Sequence, residues 1–422
     1  MEPVSTWRSD KPRPAGDPSL RLNGAADPAP RIQANPFLWP LIAAATASDA
    51  AASYFHELAH AAIGQSAPPD RPELPWSTPN RIALELATVR LRDFSVRSGG
   101  TPALICAPFA LHGATVADFA PGHSLVETLR AAGRDRVLLT DWRSARPDMR
   151  FLSIDSYLAD LNVVVDAIGA PVDLIGLCQG GWMALIFAAR FPGKVRRLVL
   201  AGAPVDIAAA ESSISRLARG IPLSTFAELV RLGGGRVLGE RVLELWGGAL
   251  AAEESAQVLQ LAPETPPSRR LRERFAAWYD WTVDLPGTYY LQVVAWLFRE
   301  NRIAEGRFVA LGRTIDLASV DIPVFLIAGR DDTLVASAQL LATARLIGTP
   351  RHAVETVVAP CGHLSLFMGR ETLARVWRGV AAWLDRDLPA VASVEPVPGV
   401  IVDDPLAVDE ADLQDRHVAI QA

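Results

Sequence analysis

A mainly apolar run, Val172-Asp-Leu-Ile-Gly-Leu177, passes without any intervening loop into Cys178-Gln-Gly-Gly181 and a helix-forming stretch that reaches Arg190. The chain must therefore turn from strand to helix within about one residue, which forces the apex residue into a strained backbone conformation costing about 1–3 kcal/mol. Only small side chains fit two positions to either side of such a turn, and Gly176 and Gly180 stand there. The new helix points its N-terminus at the apex side chain, Cys178, and favours negative charge on it. This is the pattern of a nucleophile displayed at the top of a parallel sheet, Gly-x-nucleophile-x-Gly. Taken alone, the same residues also fit a buried structural cysteine in a glycine-rich turn.

The flanking sequence supplies the sheet. Short apolar strands are expected at Ala103–Cys106, Arg136–Thr140, Val172–Gly176, Arg197–Ala201, Val324–Ala328 and Glu355–Val358. Helical periodicity fills the gaps at Ser124–Ala132, Ile154–Ile168, Gly180–Arg190, Ala336–Leu346 and Leu373–Leu384. Strands apolar on both faces, separated by amphipathic helices, imply an α/β chain with a mostly parallel, doubly wound sheet. A mainly helical stretch from Ala208 to about Val283 interrupts the alternation above the strand ends and reads as a cap insertion. The catalytic α/β domain is then 80–387, preceded by a helical segment and linker over 36–79 and by a Pro-, Arg- and Asp-rich segment, 1–35, that reads as disordered. The Pro- and Asp-rich residues 388–422 read as a disordered acidic tail.

Composition excludes several classes of function. The net charge is −6, and of 41 basic residues only Lys11 and Lys194 are lysines; none of the arginines forms a nucleic-acid track. Three cysteines, Cys106, Cys178 and Cys361, fit free thiols in a reducing cytoplasm better than a disulfide framework. No apolar run reaches the roughly 18 residues of a membrane span. The nearest, Pro36–Ala47, is cut by Pro40, and the mixed-charge segment before it does not fit a secretion signal.

A displayed nucleophile needs a base and an acid, which in this architecture follow it in the order nucleophile, acid, histidine. The strand Val324–Ala328 ends in Gly329-Arg-Asp331-Asp332-Thr333, and the strand Glu355–Val358 ends in Ala359-Pro-Cys361-Gly362-His363. Both loops sit at C-terminal strand ends, so the expected triad is Cys178, Asp332 and His363 on an α/β-hydrolase fold. Asp332, three residues past Gly329, is preferred to Asp331. The Gln179 N–H is the first expected oxyanion donor. The second comes from the loop after Ala103–Cys106, where Pro108 has no N–H and Phe109 or Ala110 must supply it. Cys106 reads as a small core residue and Cys361 as a packing residue. His56-Glu57-Leu58-Ala59-His60 matches a zinc-protease pattern but has no third ligand nearby, and reads as a surface helix; no metal or organic cofactor is expected.

Over Thr78 to Leu384 these residues resemble the polyhydroxyalkanoate synthases and intracellular depolymerases. The box Gly176-Leu-Cys178-Gln-Gly180-Gly181 is similar to the synthase box, as are Leu139-Thr-Asp141-Trp142-Arg143, Ala203-Pro-Val-Asp206 and Glu300-Asn301-Arg302. Asp284-Leu-Pro-Gly-Thr-Tyr-Tyr290 and Gly362-His363-Leu-Ser-Leu-Phe-Met-Gly369 are similar to depolymerase stretches, and Thr333 stands where synthases usually carry His. The resemblance implies a cysteine-linked acyl thioester formed from 3-hydroxyacyl-CoA, with polyester hydrolysis or a thioesterase reaction as alternatives on the same triad. A further alternative is a granule-associated protein that binds polyester without turning it over. The family also implies a cytoplasmic enzyme at the polyester granule surface, acting as a homodimer or with a second synthase subunit.

Overall fold

Residues such as Val172–Leu177 and Val324–Gly329, buried at every position, are stable only where layers cover both faces of a sheet. A computed structural model describes residues 73–386 apart from 170, 247 and 260–264, all within the larger of two units, Ala47–Ala422. The expected disordered segment 1–35, the helical segment with its His56 and His60, the first part of the linker and the tail 388–422 lie outside the described residues.

Eight strands make the main sheet: β1 (Arg81–Glu85), β2 (Val89–Asp93), β3 (Ala103–Cys106), β4 (Val137–Trp142), β5 (Val172–Leu177), β6 (Val195–Ala201), β7 (Val324–Gly329) and β8 (Val354–Ala359). Their spatial order is β1-β2-β4-β3-β5-β6-β7-β8. Only β2 runs antiparallel to its neighbours; the pairs from β4 to β8 are parallel. The six expected strands are present with ends displaced by a few residues. The edge pair β1–β2 escaped sequence reading because its charged residues, Arg81, Glu85, Arg90, Arg92 and Asp93, mask any apolar run. Those charges pair laterally instead, Arg92 with Asp141 of β4 at 2.8 Å and Arg81 with Asp93 at 2.6 Å.

Helix α1 (Leu125–Ala131) starts where the Ser124 side chain accepts from Glu127 N–H. Helix α2 (Ile154–Ile168) opens on a Ser153–Ser156 capping box and closes at Gly169, which takes a left-handed φ of 79°. Helix α3 (Gln179–Arg190) is buried at every position but its last and forms the centre of the molecule. The expected helix over 373–384 is a π-helical turn, Leu373–Trp377, followed by α-helix Arg378–Asp385. The expected helix over 336–346 is two short ones, Ser337–Leu341 and Thr343–Leu346.

Between β6 and β7 the chain builds α4 (Ser213–Gly220), α5 (Leu223–Leu232), α6 (Gly239–Trp246), α7 (Gly248–Leu259) and α8 (Pro266–Asp280). The inserted segment does not end near Val283: it continues through the helix Gly287–Gln292 and a π-helical turn, Val293–Arg299, before β7 begins. No helix of the described residues is long and apolar enough to cross a membrane.

Candidate active site

Cys178 sits between β5 and α3 with φ 49° and ψ −118°, a left-handed backbone that a non-glycine residue holds only under constraint. The constraint is packing. A β-carbon on Gly176 would lie 2.5 Å from Gly181 Cα and 2.9 Å from Ala184 Cβ, so only glycine lets helix and strand approach this closely. On Gly180 it would lie 2.2 Å from Cys106 O and 2.6 Å from Ala107 O, because the loop leaving β3 passes directly over the start of α3. The Cys178 N–H donates to Ala201 O of β6 at 2.9 Å, which anchors the apex to the neighbouring strand.

The loops after β7 and β8 bring Asp332 and His363 to this apex. His363 Nδ1 lies 2.7 Å from Asp332 Oδ2, and the pair is buried. The other carboxylate oxygen, Asp332 Oδ1, accepts from Leu334 N–H and Val335 N–H, both at 2.9 Å, so the backbone fixes the acid's orientation. Asp331 points outward, half exposed, and pairs with Arg330 at 3.3 Å. The adjacent carboxylates are thus sorted by burial, and only Asp332 meets the imidazole. With Nδ1 committed to Asp332, Nε2 is the ring nitrogen that remains for the Cys178 side chain, which hydrogen-bonds the imidazole. Burial disfavours the charged imidazole, but the charge of Asp332, then that of Cys178, and hydrogen bonds to both raise His363 well above its ordinary value. The Phe367 ring stands edge-on to the imidazole at 5.2 Å and limits its rotation.

At the first position of α3, the Gln179 N–H is one of the donors that a helix leaves without an intrahelical acceptor. Phe109 and Ala110 follow the segment pressed against Gly180. The Phe109 ring is buried against Tyr157 at 4.6 Å and Tyr289 at 5.1 Å, while Ala110 is partly exposed. The Tyr289 hydroxyl donates to Phe109 O at 3.4 Å. The remaining cysteines stand apart in character. Cys106 is fully buried, and burial pushes its thiol up to about 12 despite a bond to Thr140; burial likewise raises Cys361.

The inserted segment supplies contacts that no local sequence signal announces. Glu254 of α7, buried, accepts from Leu364 N–H at 3.1 Å, one residue past His363. Gln257 of α7 presses on Gly362, where a β-carbon would lie 2.0 Å from its Oε1. From the far end of α8, Val283 N–H donates to Leu111 O at 3.0 Å, and His112 stacks on Trp278 at 4.5 Å. Burial holds His112, two residues past Ala110, down at about 4, so its imidazole is neutral. The loop that carries His363 and the loop that carries Phe109 and Ala110 are therefore both braced by the insertion. Among the described residues no group of His, Cys, Asp and Glu has the arrangement of a metal site.

Residues 112–369, which include Cys178, Asp332 and His363, match the family model described as the alpha/beta hydrolase fold. The chain is 25% identical over 274 residues to the poly(3-hydroxyalkanoate) polymerase subunit PhaC of Allochromatium vinosum, covering 64% of this chain and 76% of the relative. It is 27% identical over 283 residues to the protein of the same name from Synechocystis sp., covering 63% and 73%. Among solved structures, an enol-lactonase from Burkholderia xenovorans aligns at 18% identity with a TM-score of 0.46, covering 73% of this chain and 100% of that one.

Proposed function

The chain belongs to the alpha/beta hydrolase fold family, and from that premise we propose that it is a polyhydroxyalkanoate synthase-like acyltransferase that carries its acyl group on Cys178. The observation that carries this reading is the placement of a cysteine, rather than a serine, on a strained elbow beside a histidine held by a buried carboxylate. Thiolate attack on a thioester exchanges one thioester for another and is close to balanced, so a thiol nucleophile suits acyl-CoA entry.

In the proposed cycle His363 Nε2 takes the Cys178 proton, and the sulfur attacks the carbonyl carbon of a 3-hydroxyacyl-CoA. The carbonyl oxygen becomes an oxyanion facing the Gln179 N–H and that of Phe109 or Ala110. The C–S bond to coenzyme A breaks, and its thiol leaves with the proton held on His363. A hydroxyl of a second 3-hydroxyacyl-CoA then gives its proton to His363 and attacks the Cys178 thioester. An ester forms, the Cys178 sulfur leaves and takes the proton back from His363, and the lengthened acyl-CoA reacylates Cys178 by the same thioester exchange. Asp332 holds the Nδ1 proton throughout and stabilises the imidazolium. Because the relatives are named as polymerase subunits, a second subunit and a granule surface are the proposed partners.

Purified protein mixed with 3-hydroxybutyryl-CoA tests this. The expected result is coenzyme A release and an acyl adduct on Cys178, seen by mass spectrometry of quenched enzyme and growing by monomer units. An adduct of constant mass that hydrolyses identifies a thioesterase. Release of 3-hydroxy acids from amorphous polymer with no reaction on acyl-CoA overturns the synthase reading in favour of depolymerisation.

A further inference from the structure

At the end of the sheet opposite Cys178, beside the N-terminal ends of β3 to β6, lies a polar cavity of about 360 Å³. It is separated from the elbow by the length of β5, about 16–20 Å at the rise of a strand. Five arginines line it, Arg134, Arg136, Arg196, Arg197 and Arg386, against two aspartates, Asp135 and Asp385. The opposite wall is the loop Gly99-Gly100-Thr101, in which Gly100 has a left-handed φ of 86° and open space around it.

The charges here do not cancel. Arg134 meets Asp173 and Asp385, and Arg196 shares Asp173, so two guanidiniums face two carboxylates. Asp135 is engaged by Arg97 at 3.6 Å and Arg386 by Glu355 at 2.8 Å. Among the described residues, the remaining two arginines hydrogen-bond only neutral oxygens. Arg136 donates to Gly100 O and Ile168 O, both at 3.4 Å. Arg197, buried, donates to Trp383 O and Arg386 O and lies over the Trp383 ring at 5.3 Å. Burial first, and then the neighbouring charge of Arg196, push the Arg197 guanidinium below its usual value, against the opposing charges of Asp173 and Asp385.

We propose that this cavity is a second binding site, for the dianionic phosphate of a small hydroxyl-bearing phosphate monoester held between Arg136 and Arg197. Two guanidiniums without a salt-bridge partner match the charge of such a group, and each has N–H groups beyond those it gives to backbone carbonyls with which to meet it. The volume exceeds that of a bare phosphate, and the Asp135 and Asp385 carboxylates on the wall are acceptors for hydroxyls of the attached sugar or polyol. The site is independent of the reaction proposed at Cys178.

Titration calorimetry on the full chain with inorganic phosphate, ribose 5-phosphate and AMP tests the proposal, with sodium chloride at matched ionic strength as the control. Ribose 5-phosphate is expected to bind saturably and at least tenfold more tightly than inorganic phosphate. AMP binding more tightly than ribose 5-phosphate identifies the source as a nucleotide, and the reverse order identifies a sugar phosphate. Arg136→Gln, at a partly exposed position, is expected to weaken binding at least tenfold while leaving the ligand-free unfolding temperature and acyl turnover unchanged. Absence of saturable heat with all three probes, or binding that Arg136→Gln leaves intact, overturns it.

Discussion

Replacing Gly180 by alanine tests the idea that one close approach aligns both halves of the oxyanion site. The added carbon would lie 2.2 Å from Cys106 O, 2.6 Å from Ala107 O and 2.8 Å from Cys106 C, all backbone atoms. That backbone is pinned, since Ala107 N–H donates to Thr140 Oγ1 at 3.0 Å and the Trp142 indole N–H donates to Ala107 O at 2.9 Å. Reaching ordinary contact requires a displacement of roughly 1 Å. Alanine favours a helix over glycine by about 0.5–1 kcal/mol, whereas overpacking costs about 1–3 kcal/mol, so Gly180→Ala is expected to lose about 1–2 kcal/mol. The same displacement carries Phe109 and Ala110 away from the Gln179 N–H, and a misplacement of about 1 Å lowers kcat on the order of a hundredfold. Gly379, helical and with nothing within 4 Å of an added carbon, is the control; its alanine variant should gain about 0.5–1 kcal/mol and keep full activity. Urea unfolding and the rate of coenzyme A release, measured on both variants, read the two effects separately. A Gly180→Ala enzyme with more than a third of wild-type kcat would refute the reasoning, whatever its stability.

Cys178→Ala should abolish turnover by several powers of ten while the unfolding transition persists, because the side chain supplies chemistry rather than core volume; appreciable residual activity would remove Cys178 from the nucleophile role. Asp332→Asn should be far more damaging than Asp331→Asn in the same assay, since only Asp332 meets His363, and equal losses would sink the distinction. The raised His363 value gives this pair a pH signature: its stabilisation is full below the ordinary value of 6.5 and fades as pH rises through the folded value. Urea unfolding should therefore show Asp332→Asn most destabilised near pH 6 and progressively less so in alkali, with a pH-independent loss as the contrary result. Chelators should leave activity unchanged; about one zinc per chain, lost in His60→Ala, would restore the His56–His60 pattern as a metal site.

The six parallel strands, the elbow at Cys178 and the placing of Asp332 and His363 in loops at C-terminal strand ends were legible in the sequence, because each is written in local terms. A buried strand shows as a short apolar run, and a turn that admits only glycine shows as Gly176 and Gly180. The edge strands β1 and β2 were not legible, since their charges are matched across the sheet to partners such as Asp141, distant in the chain. Nor could sequence separate Asp331 from Asp332 except by register; folding separates them by burying one against His363 and leaving the other in solvent. Glu254, Gln257 and Val283 carry no local mark at all. They reach the histidine and oxyanion loops only because the inserted segment folds back over the strand ends. The pair Arg136 and Arg197, without a salt bridge among the described residues, is of the same kind. In a chain whose basic residues are nearly all arginine, those two differ from the other arginines of the same cavity only in what the tertiary structure places, or fails to place, beside them.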